Sequence, residues 1–148
     1  PMTKQQAFEL RDALGWVQSP NNERIFYNQI QVGERENGFM SIDEHSQHLS
    51  RISFELTTFA SDRIQPAVEE LIVELYESCR QSLQSKYGKG KHSLDDLVES
   101  YEWRLRSKAL IDVSKTCRGV NVIIEAPEMD ELTEAENAYF EYFGPDAP

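Results

Sequence analysis

Apolar residues recur along this chain with two periods, and the switches between them outline its elements. Ala7, Leu10 and Leu14 share one helical face, Thr3 and Gln6 have the spacing of a capping box, and Gly15 follows. A first helix is expected over 4–14. Ser19-Pro20-Asn21-Asn22 is a turn cluster. From Arg24 to Val32 the period drops to two, with Ile25, Tyr27 and Gln29 on one side and Phe26, Asn28 and Ile30 on the other. That alternation predicts a strand, with Gly33 to Gly38 as its turn.

Residues 39–60 carry both periods. Leu49, Ile52, Leu56 and Phe59 recur at helical spacing, whereas Ile52, Phe54 and Leu56 alternate, and Phe54 fits only a strand. Thr57-Thr58 tips the balance to a strand from about Arg51 to Phe59, with a helix as the alternative. The next segment has one period only. After Pro66, the residues Val68, Leu71, Ile72, Leu75, Cys79 and Leu83 form a stripe that Gly88 ends, which predicts a long helix.

Beyond a basic connector from Lys86 to His92, Ser93 and Asp96 are spaced as a cap. Leu94, Leu97, Val98, Tyr101, Leu105, Ala109, Leu110 and Val113 read as the buried face of a second long helix, antiparallel to the first. Val120 to Glu125 is the most apolar run and the candidate central strand, ended by Pro127. Thr133 and Glu136 cap a last helix that runs to Phe143 and stops at Gly144-Pro145. No internal repeat is visible. The expected fold is α+β: an antiparallel helical hairpin plus two shorter helices packed on a small, mainly antiparallel sheet. It is expected to be a single domain over 2–148, with an acidic–aromatic terminal segment over 125–148.

Composition adds class. With 148 residues, 39% of them hydrophobic and 28% charged, the chain is globular in type. A net charge of −11 sets it against bare nucleic acid and anionic membranes. No apolar run approaches the roughly 20 residues a membrane span needs, and the start shows no signal-peptide pattern. Cys79 and Cys117 stand on apolar-looking stripes with no close-pair spacing, so two buried free thiols and a cytoplasmic setting are expected.

The charge is uneven. Residues 80–118 hold nine basic and five acidic side chains, whereas 125–148 hold eight carboxylates and no Lys or Arg.

Candidate chemistry is sparse. His45 and His48 beside Asp43 and Glu44 lack a further ligand at fixed spacing and read as a solvated turn, so no metal and no cofactor is expected. Lys89, Lys91 and His92 flank the helix start proposed at Ser93 and could contact an anion there. Arg104, Lys108 and Lys115 recur at near-helical spacing beside Trp103, a pattern shared by nucleic-acid faces and by internally paired ones. No nucleophile–base set and no distinctive carboxylate pair is present, so a non-enzyme is expected.

In the last segment Tyr139, Phe140 and Phe143 fall on one side of the predicted helix, with Glu134, Glu136 and Glu141 mainly on the others. Together these six are the candidate partner-binding residues, because aromatics anchor interfaces and carboxylates steer toward a basic rim. The expected function is that of a small acidic protein that binds another protein with a basic surface, as inhibitor, immunity-type factor, chaperone or adaptor. Three alternatives stand beside it: a mimic of nucleic acid that blocks a nucleic-acid-binding protein, nucleic-acid binding through 86–118, and an enzyme of unrecognised type.

Overall fold

The computed structural model describes residues 1–28, 37–58 and 66–127. Helix α1 spans Lys4–Ala13, with Thr3 as its N-cap and a complete capping box with Gln6. Four strands follow: β1 Val17–Gln18, β2 Ile25–Tyr27, β3 Gly38–Ile42 and β4 Leu49–Thr58. Helix α2 spans Pro66–Tyr87, and then come β5 Lys91–Leu94, β6 Glu99–Arg104, β7 Leu110–Thr116 and β8 Gly119–Glu125. All eight strands join one antiparallel sheet in the order β1-β2-β3-β4-β8-β7-β6-β5.

Read from either edge, this order is the same: a helix followed by a four-stranded meander, twice, joined at the centre by β4 and β8. At that seam Ile52 faces Ile124 and Phe54 faces Val122. The sequence shows no repeat because the two halves share topology and not residues.

Both helices lie on one face of the sheet. Tyr76 and Ile72 of α2 pack on Leu56, Trp103, Ile111, Val113, Val120 and Val122. Ala7 of α1 packs with Phe26, Met40 and Ile52, and Phe54 and Ile124 touch both clusters. Each strand alternates between this face and the other, so one apolar residue in two enters the core. Trp16 stacks on Phe26 with ring centroids 4.6 Å apart, which closes the α1 end. Gly38 is required there, since a Cβ would sit 2.1 Å from the Phe26 ring.

The expected helical hairpin is not formed. Residues 91–116 are β5, β6 and β7, and among the described residues there are only two helices, one short and one long. The positions Leu94, Leu97, Val98, Tyr101 and Leu105 imitate helical spacing. The buried residues of this stretch are instead Trp103, Ile111 and Val113, and they alternate. Cross-strand pairing satisfies the backbone and overrides a coincidental helical period. The sheet is correspondingly large, with eight strands among the described residues where a small one is expected. Of residues 39–60, those described, 39–58, form most of β3, a turn and β4, in line with the strand reading. The last helix expected at 133–143 lies outside the described residues, as do residues 33–36 of the turn expected over 33–38, whose last residue, Gly38, opens β3.

Candidate functional site

Helix α2 lies mainly over β7 and β8. Tyr101 and Trp103 of β6 reach under it, but the helix face of β5 and the near end of β6 stay uncovered. A groove of about 390 Å³ runs there, between the flank of α2 and the β5–β6 hairpin. Glu69 and Val73 form one wall, Leu94 to Glu99 the other, and Lys115 to Cys117 the end. The floor follows the register, since Leu94 faces Glu99 and Glu99 faces Lys115 across adjacent strands.

Apolar exposure is concentrated on the hairpin wall. Leu94 is 72% exposed, Leu97 82% and Val98 39%. Asp95 and Val98 exchange backbone hydrogen bonds across the tip, at 2.9 and 3.3 Å, and the Asp95 carboxylate accepts from the Asp96 N–H at 2.7 Å. The apolar side chains are thus presented by a closed turn. The equivalent tip of the first half, between β1 and β2, is polar throughout: Ser19-Pro20-Asn21-Asn22-Glu23. There Ser19 is buried and Asn22 accepts from the Arg24 N–H at 2.9 Å. The architecture therefore does not demand an apolar tip.

Below the groove, Lys115 pairs with Glu99 at 3.4 Å, and the His92 Nε2 lies 3.2 Å from the other Glu99 oxygen. The Lys115 ammonium stands 5.3 Å from the Tyr76 ring centre. Tyr76 is fully buried and its hydroxyl meets no hydrogen-bond partner among the described residues. Burial first, and then Glu99, raise the phenol's pKa above its ordinary value. Cys117 is exposed at the groove's end, whereas Cys79 is half-buried on the core side of α2, where burial raises its thiol's pKa. The expectation of two buried thiols holds for neither fully.

Two other depressions are more polar. One, of about 460 Å³, is lined by Asn37, Phe39, Ser53, Glu55 and Asn121 among others. Asn37 is already engaged beside it, since its side chain donates to the Asn28 Oδ1 at 2.7 Å and accepts from the Asn28 N–H at 2.8 Å. The other lies along the β7–β8 turn at Arg118 and Gly119.

The residues singled out from sequence are placed as follows. Lys89 precedes β5, and Lys91 and His92 lie on it, at the sheet's edge. Ser93 opens no helix, so the helix N-terminus that motivated an anion contact does not exist. Arg104, Lys108 and Lys115 share no helical face. Arg104 and Lys108 sit at one end of β7 and Arg118 at the other, and Lys115 is paired with Glu99. His45 and His48 flank a turn in which the Asp43 carboxylate accepts from the Ser46 N–H at 2.7 Å, which lowers its pKa. No group of three His, Cys, Asp or Glu able to hold a metal occurs among the described residues. Glu134, Glu136, Tyr139, Phe140, Glu141 and Phe143 lie outside them. Leu97 and Val98, by contrast, look from sequence like core, and only the Asp95-Asp96 pair beside them, read there as part of a helix cap, signals a turn.

The fold and the groove define an α+β protein built twice from a helix and a four-stranded antiparallel meander, with an apolar tip on one half only. The chain belongs to a family of unknown function, DUF6301, which matches residues 1–126 and so spans every helix and strand given above. No curated protein and no solved structure matches it. No helix among the described residues is long and apolar enough to cross a membrane.

Proposed function

We propose that this chain is a small acidic, non-enzymatic protein of the cytoplasm that acts by binding another protein, and that it docks at the groove between α2 and the β5–β6 tip. One observation carries this reading. Leu94, Leu97 and Val98 stand exposed on a hydrogen-bonded turn whose counterpart in the first half is polar. Clustered apolar exposure rimmed by polar groups is the usual mark of an interaction surface. Within the groove Glu99 and Lys115 pair with each other. The net charge of −11 favours basic partners. The alternative of nucleic-acid binding through 86–118 loses its support, because the helical face that would align its cations is absent.

The test is affinity capture from the native host with the wild-type chain and Leu97→Ser side by side. A partner held by wild type and lost from Leu97→Ser is the expected result. Equal capture by both would move the docking site elsewhere, and retention of the wild-type chain on a nucleic-acid column near physiological salt would favour the alternative.

A further inference from the structure

We propose that the occupant of this groove is a basic amphipathic helix, two to three turns long, contributed by the partner protein. This rests on the protein-binding reading and adds the occupant's shape and charge.

The shape follows from what α2 leaves bare. Two adjacent strands span about 10 Å, and one helix with its side chains is about 10 Å across. A helix laid beside α2 over β5 and β6 therefore completes the helical layer that α1 and α2 leave unfinished. From His92 to the tip at Asp96 the hairpin extends over about 13 Å, the length of about nine helical residues. At one end this ledge is closed by Arg80, Tyr101 and His92, where Arg80 sits 5.4 Å from the Tyr101 ring centre and His92 4.7 Å. At the other it opens between Val73 and the Leu94–Val98 tip. An amphipathic helix laid in such a groove anchors through apolar side chains at positions three and four apart.

The charge follows from the walls. Glu69 lines one and Asp95 and Asp96 the other, and no described Lys or Arg pairs with any of them. The single cation of the groove, Lys115, is held by Glu99. An apolar trough between unpaired carboxylates selects Leu-type anchors flanked by Lys or Arg and repels anionic occupants. A second copy docked groove to groove would bring the same carboxylates to the same walls. The chain's own residues 131–148 carry acidic groups and no Lys or Arg. Both have the wrong sign.

The experiment uses the full chain labelled at Cys117 with an environment-sensitive fluorophore, since that thiol is exposed at the groove. Three synthetic peptides of about 12 residues are titrated: an amphipathic Leu/Lys helix, its Leu/Glu counterpart, and a Lys/Ser peptide of equal charge without an apolar stripe. The peptide 131–148 is the fourth probe. Saturable binding of the Leu/Lys peptide at least about tenfold tighter than each of the others is expected. Leu97→Ser, which keeps every charge, should weaken it by about tenfold or more. Glu69→Gln with Asp96→Asn should flatten its dependence on salt.

Equal binding of Leu/Lys and Lys/Ser peptides would overturn the proposal, because only net charge would then be read. So would tighter binding of the Leu/Glu peptide or of 131–148, or an unchanged affinity in Leu97→Ser. If no peptide binds while captured partners still depend on Leu97, the helix is wrong and the protein-binding reading survives.

Discussion

The Trp103 indole N–H donates to the Gly88 carbonyl at 2.9 Å, and so ties the end of α2 to the C-terminal end of β6. The same ring is buried against Gly90, where an added Cβ would lie 2.7 Å from it. The tight passage from helix to edge strand thus depends on one ring and one missing side chain. Gly90→Ala should cost about 1–3 kcal/mol, since a buried ring cannot swing aside. Trp103→Phe should cost about 2 kcal/mol through lost packing and the lost hydrogen bond. Denaturant unfolding measures both, and a Gly90→Ala protein as stable as wild type would show that the ring can yield.

Tyr76 has a hydroxyl that is buried with no partner among the described residues, on a ring at the centre of the larger core cluster. Tyr76→Phe keeps the ring and removes the unmatched group. It should leave stability unchanged or raise it by about 1 kcal/mol. Tyr76→Ala should lose about 3–5 kcal/mol. A loss above about 1 kcal/mol for Tyr76→Phe would mean that the hydroxyl has a bonding role.

Asp112 sits on the sheet face away from the helices, facing Glu102 and Ile123 across adjacent strands. Burial first, and then the Glu102 and Glu125 carboxylates, raise its pKa. A carboxyl with a folded-state pKa above its unfolded value binds its proton more tightly when folded. Its ionisation therefore subtracts stability as pH rises from the unfolded value of 3.8 through the raised folded one. Asp112→Asn should melt higher than wild type near pH 7, with the difference closing as pH falls below about 4. Melting curves over that range check it, and a gap that widened on acidification would reverse the sign.

Leu97 is the most exposed large hydrophobic residue described. Leu97→Ser should shift stability by no more than about 0.5 kcal/mol while lowering partner capture. A marked loss of stability would instead assign the tip to the fold.

How much of this is legible in the sequence depends on how local each signal is. The capping box at Thr3, the Pro66 start and Gly88 end of α2, and the apolar run of β8 between Gly119 and Pro127 can all be read directly. Each depends on residues a few positions apart. The stripe of α2 is read almost correctly, except that Leu71 is exposed and Tyr76 is fully buried.

Residues 91–116 are read wrongly, because Tyr101 and Leu105 stand four apart while Tyr101 and Trp103 stand two apart, and both spacings are apolar. Only pairing with β8, which lies on the far side of β7, decides between them, and that contact is not local. The site follows the same rule. The sequence by itself determined the chain's acidity, the positions of α1 and α2 and the central strand. The tertiary structure alone decided that Leu94, Leu97 and Val98 face a groove. Exposure is set by which strands α2 covers, and a helix seated over β7 and β8, the inner strands of its half, leaves the outermost hairpin bare.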